Sequence, residues 1–109
     1  MKKTINLSSD FNKTPAGRFF SDGDYSGEHF RKNYLIPAFK DSNTKIIEVI
    51  LDNLDGIGSS FWEEAFGGLI RKENINYEEI KKKITFKCDD DDTLIPLINS
   101  LIEDANKSK

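Results

Sequence analysis

Two adjacent serines at the start of a helical pattern are the residues of this chain best placed to do chemistry. Ser59 and Ser60 follow Gly58 at the end of a turn-forming loop, and an apolar helical periodicity begins directly after them. Serine is a preferred helix cap, and Ser60 with Glu63 fits a capping box. A phosphate on the Ser60 hydroxyl would also be favoured by the helix dipole and the free backbone amides. The pattern therefore predicts helix caps or a phosphoacceptor at Ser60, with Ser59 as the second candidate.

Other reactive residue types are too few for most catalytic or metal sites. One cysteine, Cys88, excludes an internal disulfide and a multi-cysteine zinc site, and one histidine, His29, argues against a His-based triad. Asp89 to Asp92 supply oxygen ligands of the kind that Ca²⁺ prefers, but their spacing is not that of a calcium loop. Acids at the N-terminus of a solvated helix are the simpler interpretation. We therefore expect no metal, no cofactor and no enzymatic activity.

A second candidate surface is the turn-rich segment that precedes the first helix. Arg18 and Asp22 lie in it, and two interpretations stay open: part of a binding surface, or an ion pair and local turn hydrogen bonds. The helix that begins at Ser60 also carries charged and small residues, which we expect on an exposed face suited to docking: Glu63, Glu64, Gly67 and Arg71. The predicted partner-binding residues are Gly58, Ser59, Ser60, Glu63, Glu64, Arg18 and Asp22.

The composition limits the class of partner. The chain has 109 residues, with 16 Lys and Arg against 19 Asp and Glu, a net charge of −3. The acidic balance argues against nucleic-acid binding, which needs a basic surplus on one face of the protein. The sequence has no run of about 18 apolar residues, so no membrane span is predicted. We expect a soluble, cytoplasmic protein.

Alternating strands and helices must position these residues. Strand patterns cover residues 4–7, 45–51 and 84–88. Residues 18–20 are typical of a further short strand that pairs back on the first one as a hairpin. Helical patterns cover residues 27–39, 59–70 and 93–102, and residues 77–83 are typical of a short charged helix or a turn. Ser26 should cap the first helix, and Pro37 should kink it or end its regular part.

This order of elements predicts an α/β fold. We expect a mixed, mostly parallel sheet with an antiparallel N-terminal edge and with helices packed on it. The chain forms one domain, residues 1–104, followed by a polar tail, residues 105–109, that we expect to fray.

The core should form around the strand at residues 45–51. Its continuous apolar character predicts a central strand that is covered on both faces. The wide apolar face of the following helix predicts that Trp62, Phe66 and Leu69 pack against this strand. Two adjacent poor helix formers, Gly67 and Gly68, indicate close approach by a neighbouring element.

Three segments of the chain together resemble a known family. They are residues 17–27 (GRFFSDGDYSG), 34–38 (YLIPA) and 54–69 (LDGIGSSFWEEAFGGL). In combination they are similar to a small bacterial STAS-like family of unknown function, and the resemblance covers residues 4–104. It implies a STAS-like single domain, in agreement with the predicted order of strands and helices.

The wider STAS family is similar to anti-sigma factor antagonists, and this similarity implies a regulatory function. In those antagonists a strand ends in a loop with an Asp-Ser-Ser/Thr-Gly motif. The second hydroxyl residue of the motif opens a helix and is phosphorylated by a kinase that is also an anti-sigma factor. Ser59 and Ser60 occupy the matching loop, so the resemblance places the phosphoacceptor at Ser60. Gly58 replaces the Asp of the motif, and Phe61 replaces its Gly.

Three functions from different classes remain open. The first is a non-enzymatic regulatory module that binds a partner, an ATP-binding protein of the histidine-kinase type, and is gated at Ser60. The second is a small-ligand or nucleotide sensor whose ligand lies between the Arg18 loop and the helix N-terminus at Ser60. The third, an enzyme with Ser60 as nucleophile, lacks a plausible base. We favour the first.

Overall fold

A three-stranded sheet and four helices make up the described part of the chain. The computed structural model describes residues 1–108. The strands are β1 (Lys2–Asn6), β2 (Ile46–Ile50) and β3 (Ile84–Lys87), with β2 in the centre. The helices are α1 (residues 27–40), α2 (residues 59–71), α3 (Tyr77–Lys83) and α4 (Leu94–Lys107). A π-helical turn (Leu7–Phe11) and a 3₁₀ turn (Phe20–Asp22) lie between β1 and α1. The α/β class and the central position of β2 are confirmed.

All three strands run parallel. β1 and β3 each pair with β2 in parallel, so that Ile5 lies beside Val49 and Val49 lies beside Phe86. The predicted antiparallel N-terminal edge is therefore wrong. The strands β1 and β2 are joined through α1, and β2 and β3 are joined through α2 and α3, as parallel neighbours require.

The segment predicted as a hairpin strand is instead a compact loop. Its backbone amides are bonded to nearby carboxylates, which leaves them unable to pair with a strand. The Asp22 carboxylate accepts hydrogen bonds from the amides of Arg18 and Phe19, and the Glu28 carboxylate accepts one from the amide of Phe20. Local turn chemistry therefore overrides the strand preference of two adjacent phenylalanines.

The helices cover one face of the sheet. Successive parallel crossovers that advance in the same direction place their helices on the same side, because such crossovers are right-handed. The side chains of Ile5, Ile47 and Val49 point to that side and are buried. Ile46 and Glu48 point to the opposite side and are only half-buried. The prediction that β2 is covered on both faces is therefore wrong, and the fold has two layers.

The helices α1 and α2 both widen in the middle. The segment Arg31–Leu35 of α1 and the segment Glu63–Gly67 of α2 are π-helical. In α1 the amide of Ile36 donates to the carbonyl of Arg31, five residues back, directly before Pro37. This wide turn accommodates the proline, which has no amide hydrogen and would clash in a regular helix. The helix therefore continues past Pro37 to residue 40.

The core lies between the sheet and α2. Trp62, Phe66 and Leu69 are fully buried, as predicted. The Trp62 ring stacks on that of Phe66 with 6.1 Å between centroids, and Phe66 meets Phe86 of β3 edge-on at 5.3 Å. The indole Nε1 of Trp62 has no hydrogen-bond partner among the described residues. The tryptophan therefore contributes to the core through its apolar contacts alone.

The last helix is longer than the sequence pattern indicates. The predicted frayed tail begins at residue 105, but α4 runs to Lys107, and Ala105 is fully buried. The Ala105 methyl lies 3.7 Å from the position that a Cβ on Gly67 would take. This close approach explains the helical extension, and it confirms that a neighbouring element packs on the glycine pair. Lys109 lies outside the described residues.

Candidate functional site

The two candidate serines occupy the first two positions of α2. The cap position belongs to Gly58, which has extended backbone angles (φ −70°, ψ 151°) and no side chain to accept a hydrogen bond. The prediction that Ser59 or Ser60 caps the helix is therefore wrong, and so is the capping box between Ser60 and Glu63. Ser59 is exposed and Ser60 is half-buried. The first amides of a helix have no intrahelical acceptor, so this end of α2 favours negative charge.

An ion pair joins the loop before α1 to the start of α2. Arg18 Nη1 donates to Glu63 Oε1 at 2.7 Å, across 45 residues of sequence. Both side chains are more than a third accessible, at 39% and 34%. The capping-box partner predicted for Ser60 is thus engaged by Arg18 instead. The structure brings the two predicted parts of the surface together, and we call residues 18–25 and 58–60 with Glu63 the docking surface.

A close contact between the start of α1 and the backbone of α2 supports this arrangement of the loop and the helix start. Gly27, the first residue of α1, faces the backbone of α2. A Cβ on Gly27 would lie 2.6 Å from the carbonyl oxygen of Phe61 and 3.0 Å from the amide nitrogen of Ala65. A side chain at residue 27 would therefore push the start of α1, and with it the loop, away from the start of α2.

Asp22 has a structural role within the loop. Its carboxylate holds the amides of Arg18 and Phe19 at 3.1 and 2.9 Å. These bonds close the turn and hold Arg18 where its side chain reaches Glu63. Of the two interpretations left open for Asp22, the local turn bonds are present in the structure.

Glu64 lies in the core and not on the surface. Its carboxylate accepts a hydrogen bond at 2.8 Å from Arg31, whose side chain is only 1% exposed. Arg31 also donates to the Glu64 carbonyl at 2.6 Å and to the Glu73 carboxylate at 2.9 Å. The prediction that Glu64 and Gly67 lie on an exposed helix face is therefore wrong, because both are buried. We leave Glu64 out of the docking surface.

Sequence reasoning missed the buried arginine, because periodicity assigns a charged residue to the solvent side of a helix. Arg31 lies in the π-helical segment of α1, and its guanidinium runs against Gly68 of α2. A Cβ on Gly68 would lie 2.2 Å from Arg31 Nη1. The glycine at residue 68 therefore leaves room for the guanidinium, which accounts for one member of the glycine pair.

Three exposed aromatic side chains also belong to the docking surface and were not predicted as functional. Phe19, Phe20 and Tyr25 are 39%, 47% and 44% exposed. Their inner neighbours are Phe11, which meets Tyr25 edge-on at 5.4 Å, and His29, 5.6 Å from Phe20. A signal was present in the sequence: the stretch around these aromatic residues is rich in turn formers, which favours a loop over the predicted strand.

His29 and Ser26 serve the start of α1. The Ser26 hydroxyl accepts a hydrogen bond from the His29 amide at 3.2 Å, so the predicted cap is confirmed. The imidazole Nδ1 of His29 bonds to the carbonyl of Asp24. These contacts tie the end of the loop to the helix.

The carboxyl ends of β2 and β3 are locked together by aspartates. Asp52 Oδ1 accepts from the amides of Asp89 and Asp90 at 2.6 and 3.1 Å, and Asp90 Oδ2 accepts from the amide of Asn53 at 2.8 Å. Asp52, Cys88 and Asp90 lie close enough to share a cation, and the backbone amides engage one oxygen of each carboxylate. Burial raises the pKa of the Cys88 thiol, so it is protonated and weakly nucleophilic at neutral pH.

Within residues 1–108, no helix combines the length and the apolar character that crossing a lipid bilayer requires.

The fold and this surface define a two-layer α/β domain with a parallel sheet and a serine-bearing helix start at its carboxyl edge. The sequence model of the family described as "STAS-like domain of unknown function" matches residues 26–94, which is more than half of the chain. The chain belongs to this family. No curated protein and no solved structure matches it.

Proposed function

We propose that the protein is a non-enzymatic regulatory module that binds a partner protein through the docking surface and is gated at Ser60. The partner class we propose is an ATP-binding protein of the histidine-kinase type, as the resemblance to anti-sigma factor antagonists implies. The observation that carries the proposal is the 2.7 Å ion pair between Arg18 and Glu63, one helical turn from Ser60. It links the loop to the helix start that holds the candidate phosphoacceptor.

The position of Ser60 supports modification of its hydroxyl. Because Gly58 occupies the cap, phosphorylation of Ser60 would break no capping hydrogen bond. A phosphate at the second position of α2 would gain from the helix dipole and from the first-turn amides. It would add about −1.5 to −2 charges to the surface at neutral pH.

The added charge would act on the loop through the ion pair between Arg18 and Glu63. Residues three apart on a helix are neighbours, so a phosphate on Ser60 would lie beside the Glu63 carboxylate. The phosphate would repel Glu63 and compete with it for the Arg18 guanidinium, which binds phosphate in a bidentate manner. Arg18 would then leave Glu63, and the loop that it anchors would change position.

The loop carries the side chains with the greatest capacity for binding a protein. Phe19, Phe20 and Tyr25 are exposed on it, and large aromatic residues with arginine dominate the binding energy of protein interfaces. Lys72 lies over the Phe19 ring at 5.2 Å from its centroid, which holds that ring in place on the surface. A shift of the Arg18 anchor would therefore move side chains that a partner contacts.

Affinity capture from the native cell tests this proposal. Wild type, Ser60→Asp and the control Ser42→Asp are compared by quantitative mass spectrometry, with circular dichroism as a folding check. Ser42 is exposed and precedes β2, at the other end of the strands, so its variant adds the same charge away from the docking surface. We expect one nucleotide-binding protein to be captured by wild type and Ser42→Asp and depleted with Ser60→Asp. Identical captured sets for all three would contradict gating at Ser60.

The same cell extract tests the modification itself. We expect a phosphorylated peptide that contains residues 59 and 60, with the phosphate on Ser60. The nucleotide-sensor alternative makes a different prediction, since ATP alone would then raise the melting temperature of the isolated protein. A nucleotide-dependent rise that Arg18→Ala removes would replace the present proposal with that one.

A further inference from the structure

A groove at the carboxyl end of the sheet lies next to the docking surface. It has a volume of about 250 Å³ and runs between the loop after β2 and the first turn of α4. Its apolar lining consists of one buried side chain, Leu51, the half-buried Leu54, Ile57 and Leu94, and Leu97, which is 38% exposed. Ile57 directly precedes Gly58, so the groove adjoins the start of α2.

The rim of this groove is strongly acidic. Asp90 and Asp91 line the groove, and four further aspartates lie on the loops after β2 and β3: Asp52, Asp55, Asp89 and Asp92. Among the described contacts, one surface ion pair on the rim joins Lys87 to Asp89 at 3.9 Å. The contact given for Lys13 is a backbone hydrogen bond, in which the Asp55 amide donates to the Lys13 carbonyl. The Thr93 hydroxyl and amide donate to Asp91 and lower the pKa of that carboxyl. The rim is therefore negatively charged at neutral pH.

The rim is also rigid. The aspartate bonds to backbone amides described above hold the loop after β2 against the loop after β3. The amide of Leu51 donates to the carbonyl of Lys87 at 2.8 Å, which extends the strand pairing to the groove floor. The groove is thus formed without a ligand, and a partner would not bear the cost of ordering it.

We propose that this acidic groove binds a basic amphipathic helix of the partner, with apolar side chains against Leu97 and lysines or arginines on the aspartate rim. The charge of the rim selects a basic partner. A helix suits the site because β2 has a strand on each side and no residue of the edge strands β1 and β3 lines the groove, so the groove offers no free strand edge to an extended peptide. This inference rests on the proposed function, because it names the chemistry of the partner at the continuation of the same surface.

A synthetic amphipathic peptide tests the groove without knowledge of the partner. The probe has leucines at positions i, i+3, i+4 and i+7 and lysines elsewhere, and it is titrated into the ¹⁵N-labelled protein. We expect the largest amide shifts at Ile57, Leu94 and Leu97, and we expect weaker binding at high salt. A peptide with glutamates in place of lysines should not bind. A scrambled peptide of the same composition without an apolar stripe should bind at least about tenfold more weakly.

A pair of variants separates the groove from general charge attraction. Leu97→Asp removes the exposed apolar contact, and Asn106→Asp adds the same charge at an exposed position in the last turn of α4. We expect Leu97→Asp to weaken peptide binding about tenfold and Asn106→Asp to change it less than about twofold. Equal binding by both variants, equal binding of the scrambled peptide, or shifts that map to another surface would overturn the proposal.

Two further outcomes distinguish a failure of the groove proposal from a failure of the proposed function. Shifts at the groove on raising the concentration of the protein alone would mean that a second copy occupies it, which also overturns the proposal. The peptide titration does not involve Ser60. A failed titration together with Ser60-dependent capture would therefore reject the groove and leave the proposed function in place.

Discussion

Ser26 and Ser60 both lie at the start of a helix, but of the two only Ser26 caps its helix. The Ser26 hydroxyl caps α1 through the His29 amide, whereas Gly58 holds the cap position of α2. Sequence type alone does not separate the two cases, because each serine precedes a helical pattern. What separates them is which residue has the extended backbone of a cap: Ser26 itself in α1 (φ −81°, ψ 166°), but Gly58 in α2 (φ −70°, ψ 151°).

This difference predicts unequal stability effects for the two alanine variants. We expect Ser26→Ala to lower the free energy of unfolding by about 1 kcal/mol, since the cap is lost. We expect Ser60→Ala to change it by less than about 0.5 kcal/mol, because no cap is removed and alanine is the better helix former. Urea unfolding of both variants measures this. A loss at Ser60 as large as that at Ser26 would show that the Ser60 hydroxyl does bond within the folded protein.

Arg31 allows a second prediction at the residue scale. Its buried guanidinium pairs with Glu64 and Glu73, so replacing it by methionine leaves the buried Glu64 carboxylate with only the longer contact, 3.8 Å, to the exposed Lys72 ammonium. We expect Arg31→Met to destabilise the protein by about 3–5 kcal/mol, as breaking a buried ion pair does. Arg18→Met removes an ion pair that is more than a third exposed, and it should cost less than about 1 kcal/mol. Similar losses in the two variants, measured by thermal or urea unfolding, would contradict the burial of Arg31.

Among the elements, those with a strong local pattern were predictable from the sequence. The strand pattern at residues 45–51 predicted β2, and residues 77–83, predicted as a short helix or a turn, form the helix α3. Periodicity and turn residues are local signals, which a single sequence carries. The parallel direction of β1 was not predictable in this way. It depends on carboxylates that capture the amides of residues 18–20, and on a crossover helix that occupies the space between the strands.

The sequence pattern also did not predict that one face of the sheet carries no helices among the described residues. Isoleucine favours strands on either face, so Ile46 and Ile50 gave β2 the apolar continuity of a strand covered on both sides. The candidate site was also predictable only in part. The resemblance indicated Ser60. The exposed aromatic side chains and the Arg18–Glu63 contact depend on how the loop folds onto α2, which no local pattern shows.

The position of β2 predicts its exchange behaviour. It is hydrogen-bonded on both edges, and Ile47 and Val49 are fully buried. We expect the amides of residues 47–51 to be among the slowest in the protein to exchange with solvent, because central strands open only with global unfolding. Hydrogen exchange followed by NMR measures this, with the amides of β1 as an internal comparison. Faster exchange in β2 than in β1 would contradict the strand order.

For the molecule as a whole, the two-layer fold concentrates recognition features at one end. The carboxyl ends of parallel strands collect the loops that follow them, and α/β sheets place their sites there. The helix start at Ser60 and the acidic groove both lie at this edge, and the Arg18 loop is held against the same helix start. A single partner would therefore be able to contact all of them at once.

The central claim is that charge at Ser60 controls partner binding through the docking surface. Calorimetric titration of the captured partner into wild type, Ser60→Ala and Ser60→Asp tests it most directly, with Ser42→Asp as the charge-matched control. We predict equal affinity for wild type, Ser60→Ala and Ser42→Asp, and a loss of about tenfold or more for Ser60→Asp. All four proteins should keep the same circular dichroism spectrum, since aspartate is favourable in the first turn of a helix. Equal affinities across the four would contradict the account and remove Ser60 from the mechanism.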